Sequence, residues 1–269
     1  MPTLRFTKMN GAGNDFVMLD NRAGDVQLGA EQITRLCDRH RGIGADGILV
    51  LEKAANGADF RMRYYNADGG EAEMCGNGAR CFARFADRVT GPLQKLSFET
   101  PAGVIAAALE GEEVTLQMSE PKDLRLGIDI SAAEKKFRGH YVDSGVPHVV
   151  IPVDHVANVD VPGLGSAIRN DPQFAPRGAN VNFLEKRGAN QITIRTYERG
   201  VENETLACGT GVVASALIFA ATENSSSPVH VLVKGGDELR VGFTKSGDCF
   251  TNVTLSGPAE FVFDGSVEI

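Results

Sequence analysis

The sequence has no tryptophan, no Cys-x-x-Cys pair and no apolar run near the roughly 20 residues that span a bilayer. Its first residues hold no apolar signal core, so we expect neither secretion nor a membrane partner. Lys and Arg number 27 against 35 Asp and Glu, and the lack of a basic stripe argues against nucleic acid as a partner. The histidines never stand at zinc-ligand spacing from the cysteines, so no metal is expected. We expect a cytoplasmic protein with free thiols.

Glycine is frequent, at 31 of 269 residues, which predicts many tight turns and short strands. Apolar periodicity predicts helices at Ala30–His40, from near Cys75 to Gly91, at Pro162–Asn170 and from near Cys208. The last helix is apolar on nearly all sides and is predicted to be buried. The predicted strands are Asp15–Asp20, Gly47–Leu51, Phe60–Tyr65, Lys95–Thr100, Val104–Leu109, Val114–Met118, His148–Val153, Val181–Glu185, Gln191–Tyr197, Val229–Val233, Glu238–Phe243, Phe250–Leu255 and Ala259–Phe263.

The two halves of the sequence repeat each other. A Cys-Gly-x-Gly motif begins at Cys75 and again at Cys208, 133 positions later, and each follows a strand that ends at a tyrosine and a glycine-bearing loop. This predicts an α+β fold with two domains related by a pseudo-two-fold axis, each a strand-rich, barrel-like shell around a central helix. The expected limits are 1–120 and 121–269. The pattern leaves open whether the last strand, about 259–269, packs back on the first domain.

Each Cys-Gly-x-Gly motif is expected at a helix start, where backbone N–H groups lack partners and the helix dipole is positive. Such a site favours a bound carboxylate and lowers the pKa of a thiol from about 8.5. A pseudo-two-fold axis would bring both thiols face to face in a cleft. One thiolate could then remove a proton from a carbon while the opposite thiol delivers another, inverting the stereocentre. No cofactor is needed, and no phosphate loop, Rossmann motif or pyridoxal-phosphate lysine is indicated.

Five segments carry a resemblance to a known family: KMNGAGNDFVMLD (8–20), RGIGADG (41–47), YNADGGEAEMCGNGARCFARF (65–85), GANVNF (178–183) and YERGVENETLACGTG (197–211). The sequence resembles the diaminopimelate epimerases over most of its length. The resemblance implies that fold, and interconversion of LL- and meso-2,6-diaminopimelate without pyridoxal phosphate, in lysine and peptidoglycan-precursor biosynthesis. It also implies a homodimer whose one small-molecule partner is diaminopimelate.

Within this resemblance, Cys75 and Cys208 are the catalytic acid and base, and they exchange roles with reaction direction. The helix starts Gly76-Asn77 and Gly209-Thr210 are expected to bind the reacting carboxylate through backbone N–H groups. The residues expected to hold the amino groups and the distal carboxylate are Asn14, Asn66, Asn180, Glu198 and Arg199. The chain departs from the common family pattern at Gly47, at Val146 and in a Glu-Arg-Gly loop that is one residue longer, which weakens the contacts expected there.

Other readings stay open at this point. The fold could serve another pyridoxal-independent amino-acid racemase or isomerase, a non-catalytic amino-acid-binding protein, or a redox sensor that pairs Cys75 with Cys208. Cys37 and Cys81 are predicted core residues, and His148 is predicted to make a structural hydrogen bond. The Glu that precedes each motif cysteine by four, Glu71 or Glu204, is predicted to cap a helix or to be a surface charge.

Overall fold

A computed structural model describes residues 3–133 and 135–269. Over these two ranges the chain forms eighteen strands, four α-helices and two short 3-10 helices. The strands are β1 (Thr3–Gly11), β2 (Asn14–Asp20), β3 (Gly47–Lys53), β4 (Phe60–Asn66), β5 (Glu71–Ala72), β6 (Lys95–Thr100), β7 (Gly103–Glu110), β8 (Glu113–Gln117), β9 (Lys122–Ala132), β10 (Lys135–Asp143), β11 (Pro147–Pro152), β12 (Asn180–Gly188), β13 (Gln191–Glu198), β14 (Asn203–Thr205), β15 (Val229–Leu232), β16 (Glu238–Ser246), β17 (Cys249–Pro258) and β18 (Glu260–Glu268). The helices are α1 (Ala30–Cys37), α2 (Gly76–Thr90), α3 (Val161–Arg169) and α4 (Gly209–Glu223), and the 3-10 helices are Val156–Asn158 and Pro172–Phe174. The predicted strand-rich α+β class is confirmed.

Residue contacts divide the chain into two compact units. The first runs to Leu116 and takes in Gly257–Ile269, and the second is Gln117–Ser256. The last strand, β18, therefore belongs to the first unit, where it pairs antiparallel with β1. In the second unit β9 holds the corresponding place, antiparallel to β10.

The two units share one order of strand pairing. In the first, β1 is antiparallel to β2, β2 is parallel to β3, β3 is antiparallel to β4, and β4 is parallel to β6. In the second, β10, β11, β12, β13 and β15 repeat this alternation in the same sequence. Both units thus contain the same supersecondary plan, with a 15-residue helix between β5 and β6 in the first unit (α2) and between β14 and β15 in the second (α4).

Each long helix packs on one face of the strands of its own unit. In the first unit, Phe16 of β2 lies against α2, whereas Val17 and Leu19 point the other way and pack with Ile33 and Leu36 of α1. The alternation follows from the two-residue period of a strand. In the second unit α4 is buried from Gly209 to Ala220 apart from Thr210, as its all-round apolar sequence predicts. The helix N-termini are thus held on rigid, buried elements.

The structure corrects several sequence predictions. The first helix ends at Cys37 rather than His40, because the Asp38 carboxylate accepts hydrogen bonds from the backbone N–H groups of His40 and Arg41 and closes a turn. Strands β1, β9 and β10 were missed, as were the short strands β5 and β14, which lie in segments predicted to be loops. In β1 two polar residues, Thr7 and Lys8, are buried because distant acidic partners satisfy them, which breaks the expected alternation. Strand β9 is mostly exposed, so its sequence shows no apolar face.

A duplicated ion pair fastens the loop before each motif cysteine. Arg63 of β4 binds Glu71 of β5 through two hydrogen bonds of 3.0 Å, and Arg195 of β13 binds Glu204 of β14 at 2.6 and 2.7 Å. The two repeated glutamates were predicted to be helix caps or surface charges. Glu71 is exposed and Glu204 is largely buried, and both clamp a short strand to its neighbour. Arg195 also donates to three backbone carbonyls, among them Val156 O at 3.0 Å.

The two clamps are expected to differ in strength. Arg195 and Glu204 are each 14% exposed, whereas Arg63 and Glu71 are 33% and 38% exposed. Arg195→Met leaves the largely buried Glu204 carboxylate with only the more distant Lys234, at 3.7 Å, and removes the donor to three backbone carbonyls. It should lower the free energy of unfolding by about 3 kcal/mol. Arg63→Met should cost about 1 kcal/mol or less, since water screens that pair. Urea denaturation of both variants measures the difference; equal losses would contradict it.

Candidate active site

Cys75 lies at the N-terminus of α2. Its backbone is extended, and its carbonyl accepts the first helical hydrogen bond, from Ala79 N at 2.7 Å. The thiol Sγ is 3.6 Å from Asn14 Oδ1 of β2, and the Asn77 side-chain amide is 3.5 Å from the same oxygen. The first turn of a helix presents N–H groups without helical partners. The structure therefore brings three of the predicted residues, Cys75, Asn77 and Asn14, to one helix start.

A charged cluster lies behind Asn14. The Asn14 amide donates to Asp46, and Arg39 donates to both Asp46 and Asp15 at 2.7 to 2.9 Å. Lys8 is buried and forms an ion pair with Asp15 at 2.7 Å. Burial raises the pKa of the Asp15 carboxyl, but the hydrogen bonds from Arg39 and Lys8 outweigh it and hold this pKa well below its ordinary value. Asp15 therefore stays ionised and the cluster stays charge-balanced.

Asn66, another predicted site residue, ends β4 opposite Gly47 of β3. Its backbone closes the turn that leads to β5, accepting from Gly69 N at 3.0 Å and donating to Gly70 O at 2.9 Å. A Cβ at Gly47 would meet Tyr65 O at 2.4 Å, so the strand pairing here leaves no room for a side chain at this position.

Cys208 occupies the matching place at the N-terminus of α4 and is 6% exposed. Its Sγ lies 3.6 Å from the hydroxyl of Thr210. Glu198, at the end of β13, interacts with the same thiol. Burial raises the pKa of the Glu198 carboxyl, and the interaction with Cys208 opposes that rise in part. Gly209, Thr210 and Glu198 thus lie around Cys208.

A chain of buried hydrogen bonds leads to Thr210. Thr196 donates to Asn182 Oδ1 at 2.9 Å, and the Asn182 amide donates to Val149 O and lies 3.1 Å from His148 Nδ1. His148 Nε2 is 2.9 Å from the Thr210 hydroxyl. Amide nitrogens face both ring nitrogens, Asn182 at 3.1 Å from Nδ1 and Asn180 at 3.4 Å from Nε2. Because the Asn182 donor is the nearer, the ring proton is assigned to Nε2, which donates to Thr210. The Thr210 hydroxyl proton is then left to point at Cys208.

Asn180 and Arg199 meet beside this chain. Asn180 Oδ1 accepts from the Arg199 backbone N–H at 2.7 Å, and its amide nitrogen is 3.4 Å from both Pro147 O and His148 Nε2. The Arg199 guanidinium donates to Arg177 O at 3.2 Å. Asn180 is buried and fixes the backbone of the Glu-Arg-Gly loop, so its side chain holds the loop that carries Glu198 and Arg199.

His148 is fully buried and should remain uncharged. Burial, together with the nearby charge of Arg199, lowers the pKa of its imidazole to about 3. An unfolded histidine has a pKa near 6.5 and binds a proton that the folded one refuses, so stability falls as pH drops from about 6.5 toward 3. This one group contributes a slope of up to about 1.4 kcal/mol per pH unit to the free energy of unfolding.

This linkage is testable with His148→Gln. Between about pH 6 and pH 5 the free energy of unfolding of the unmodified chain should fall more steeply than that of the variant, whatever their absolute stabilities. Denaturant titrations at several pH values measure both slopes. Parallel slopes would mean that the folded imidazole titrates as an ordinary histidine.

The remaining cysteines lie elsewhere. Cys37 and Cys81 are buried, and burial raises the pKa of their thiols to about 11 and about 12. Both predictions of a core position are confirmed. Cys249 is exposed at the start of β17. Within the described ranges no group of three His, Cys, Asp or Glu side chains is arranged to hold a metal ion. Among the helices of residues 3–133 and 135–269, none is long and apolar enough to cross a membrane.

Sequence reasoning missed Asp46, Asn182 and Thr196. Two of them carried a usable signal: Asp46 lies in the segment 41–47 and Asn182 in the segment 178–183, both of which resemble family motifs. Thr196 carried none, since a lone threonine in a strand is common. His148 makes the structural hydrogen bonds predicted for it, and they end on a predicted site residue, Thr210.

Comparison with known proteins gives one consistent result. The family model described as diaminopimelate epimerase matches residues 6–124 and 140–261. A diaminopimelate epimerase of Chlorobaculum tepidum is 45% identical over 267 residues, which cover 97% of this chain and 100% of the relative. A diaminopimelate epimerase of Aquifex aeolicus is 38% identical, with 97% of each chain covered.

Solved structures share the fold at low identity. A phenazine biosynthesis protein of the PhzF family from Bacillus anthracis superposes with a TM-score of 0.75 at 18% identity, covering all of both chains. A hydroxyproline epimerase from Agrobacterium vitis superposes with a TM-score of 0.67 at 17% identity, covering 98% of this chain and 92% of that one. The predicted fold class is confirmed by these neighbours.

Proposed function

The chain belongs to the diaminopimelate epimerase family, and from that premise we propose that it interconverts LL- and meso-2,6-diaminopimelate with Cys75 and Cys208 as acid and base. The family makes it an isomerase of lysine biosynthesis. The observation that carries the proposal is that relatives about 40% identical match it from end to end. A cysteine at the start of each 15-residue helix supports the assignment of the two thiols.

The proposed reaction moves one proton out and one proton in. A thiolate takes the α-proton, and the electron pair of the C–H bond moves toward the adjacent carboxylate. The other thiol gives its proton to the opposite face of the α-carbon, and the electron pair of its S–H bond stays on sulfur. The configuration is inverted, and the two sulfurs have exchanged thiol and thiolate states. Removal of the product proton by the second sulfur is the reverse reaction, so one enzyme serves both directions.

The helix starts supply the electrostatic part of this mechanism. Gly76 and Asn77 in one unit, and Gly209 and Thr210 in the other, offer backbone N–H groups at the positive end of a helix dipole. We propose that these groups bind the reacting carboxylate, on which negative charge grows as the proton leaves. Donors already fixed by a folded helix stabilise that charge without reorganising, which is the main requirement for lowering such a barrier.

The remaining predicted residues are proposed to bind the rest of the substrate. Diaminopimelate carries two ammonium and two carboxylate groups. Asn14, Asn66 and Asn180 each offer an amide that can accept from an ammonium and donate to a carboxylate. Glu198 can accept from an ammonium, and the planar guanidinium of Arg199 can bind the distal carboxylate through two hydrogen bonds.

We also propose the wider setting of this activity. The repeated strand order and the repeated helix support an origin by duplication, with 1–120 and 121–269 as the two halves and the last strand, about 259–269, packed back on the first domain. A working thiol pair needs a reducing compartment, which supports a cytoplasmic location. A homodimer remains an expectation from the family. Sedimentation of the purified chain would measure its oligomeric state.

The substrate assignment is tested by incubating the purified chain with LL-diaminopimelate, without added pyridoxal phosphate and under reducing conditions. Chiral separation follows the isomers. Formation of the meso isomer until both isomers coexist is the expected result. The same assay with L-proline, L-glutamate and L-lysine is the control. Turnover of one of these in place of diaminopimelate would move the chain to another racemase specificity, and turnover of none would overturn the enzyme proposal.

A further inference from the structure

The orientation of the Asn14 amide is set by its neighbours. Asp46 receives a hydrogen bond from Arg39 on one carboxylate oxygen, at 2.8 Å, and from Asn14 on the other. An ionised carboxylate can only accept, and the nitrogen is the only donor on the Asn14 side chain. The Asn14 nitrogen must therefore face Asp46, and its oxygen must face away from it.

A second chain of hydrogen bonds starts at Arg80 on α2 and reaches Asn14 Oδ1. Arg80 is fully buried on α2 and donates to Asn77 Oδ1 at 3.0 Å. Since a guanidinium has no acceptor, the Asn77 oxygen is fixed toward Arg80 and its amide nitrogen toward Asn14 Oδ1, at 3.5 Å. From Arg80 each group donates to the next, through Asn77 and Asn14 to Asp46, and Arg39 donates to Asp46 from the other side. An amide held in this way cannot turn over without breaking a charged hydrogen bond.

We propose that Asp46 is a positioning residue: it holds the Asn14 carbonyl oxygen toward Cys75 and so keeps the proton on that thiol in the resting enzyme. The Cys75 Sγ is 3.6 Å from Asn14 Oδ1. A carbonyl oxygen accepts from S–H and offers nothing to a thiolate. Cys208 has different neighbours: the Thr210 hydroxyl at 3.6 Å, which can donate to a thiolate, and the Glu198 carboxyl.

The charged groups around Cys75 favour its thiolate form, whereas the Asn14 carbonyl favours the thiol. Arg80 on α2 is a cation close to the helix start, and with the helix dipole it favours the thiolate. Lys8 of β1 and Arg39 are matched by the carboxylates of Asp15 of β2 and Asp46. The Asn14 carbonyl opposes the effect of Arg80 and the helix dipole on Cys75. If Asn14 no longer holds this oxygen toward the thiol, Cys75 should ionise at lower pH.

The test is Asp46→Asn. The oxygen of the new amide can accept from Arg39 only if its nitrogen replaces the oxygen that accepts from Asn14 and from the Asp15 backbone N–H. Because the hydrogen bond from Arg39 is charged and the other two are neutral, we expect the nitrogen to face Asn14, which then turns and directs its own nitrogen at Cys75. Alkylation by iodoacetamide, followed over pH and mapped to each cysteine by mass spectrometry, gives the ionisation midpoint of each thiol. We expect the midpoint of Cys75 to fall by about one pH unit or more, since a donor replaces an acceptor, and that of Cys208 to stay unchanged.

Two controls separate orientation from charge. Asp15→Asn removes a carboxylate from the same cluster without changing the group that faces the Asn14 nitrogen, and Asp20→Asn removes an ion-paired carboxylate at the far end of β2. The shift at Cys75 should be larger in Asp46→Asn than in Asp15→Asn, and absent in Asp20→Asn. Equal shifts in Asp46→Asn and Asp15→Asn would overturn the proposal.

Asn14→Ala removes the acceptor itself and keeps the proposal testable if Asp46→Asn fails to fold, as judged by circular dichroism. It should also lower the Cys75 midpoint, and an unchanged or higher midpoint would overturn the proposal. The inference rests on the proposed function only in making Cys75 one of the acid–base pair. Alkylation requires no substrate, so a chain that fails to form the meso isomer can still pass or fail this test.

Discussion

Cys75→Ala and Cys208→Ala are each expected to lower the rate of epimerisation by roughly 10²- to 10⁴-fold, the range that a positioned acid or base supplies. Each variant retains one thiol at one helix start. It can still remove a proton from whichever isomer presents its α-hydrogen to that thiol, but it cannot complete the inversion. In D₂O one variant should therefore exchange the α-hydrogen of the LL isomer and the other that of the corresponding centre in the meso isomer.

The matched control is Cys249→Ala, which removes an exposed thiol outside both helix starts and should leave the rate unchanged. Rates are measured by chiral separation, and exchange by NMR loss of the α-proton signal. Activity near the unmodified level in Cys75→Ala or in Cys208→Ala would show that the altered thiol is neither acid nor base. Exchange of both isomers by a single-thiol variant would point to one base that serves both faces.

Gly211→Ala is expected to damage the second helix start severely, whereas Gly78→Ala at the repeated position should be mild. A Cβ at Gly211 would lie 2.4 Å from Asn182 Oδ1 and 3.4 Å from His148 Cε1 and Cys208 Cβ. Asn182 cannot move without breaking the hydrogen bonds that orient His148. A Cβ at Gly78 would meet the tip of Leu49 at 3.0 Å and the ring edge of Phe16 at 3.3 Å, which are apolar groups that can shift.

Both substitutions gain about 1 kcal/mol of helix propensity from replacing glycine by alanine. Gly78→Ala should therefore change the free energy of unfolding by less than about 1 kcal/mol, because the small strain offsets this gain. Gly211→Ala should lose about 2 to 3 kcal/mol through overpacking, and its kcat/KM should fall by more than about 100-fold because Thr210 loses its fixed orientation. Urea denaturation and initial rates measure both. Equal effects at the two glycines would refute the role assigned to their surroundings.

The local sequence was sufficient to predict where the two helices of the site begin. Cys75 and Cys208 are the residues at which α2 and α4 begin, and both helices have 15 residues. Glycines beside a cysteine, followed by an apolar helical period, are local signals, and a local signal decides where a helix starts. The repeat at a spacing of 133 likewise predicted that the two halves share one plan, which the strand order repeats.

The contacts that depend on strand register could not be predicted from the sequence. His148 lies opposite Asn180 because β11 and β12 pair in parallel in that register, and Asn182 lies opposite Thr196 through the β12–β13 pairing. Each of these residues is an ordinary polar residue in its own segment. Only the pairing of three strands turns them into a chain that ends on Thr210. The same holds for Asp46 and Asn14, which are 32 residues apart in sequence.

Burial of polar residues explains the strand that was missed at the start of the chain. Lys8 and Thr7 interrupt the apolar alternation of β1, but they are paired with Asp15 and Asp264 and lie inside the first unit. A buried lysine is stable only with such a partner. Whether a partner exists depends on β2 and β18, one of which lies more than 250 residues away in sequence.

The most direct test of the two-thiol mechanism is the isotope content of the first product formed in D₂O. LL-diaminopimelate is converted to a few per cent, and NMR reads the α-deuterium of product and of unreacted substrate. Two thiols acting on opposite faces predict that nearly every meso molecule carries deuterium at the inverted carbon while the remaining LL isomer carries almost none. A meso product that retains the original α-hydrogen would mean that a single group removes and returns the same proton, which would contradict the two-thiol mechanism.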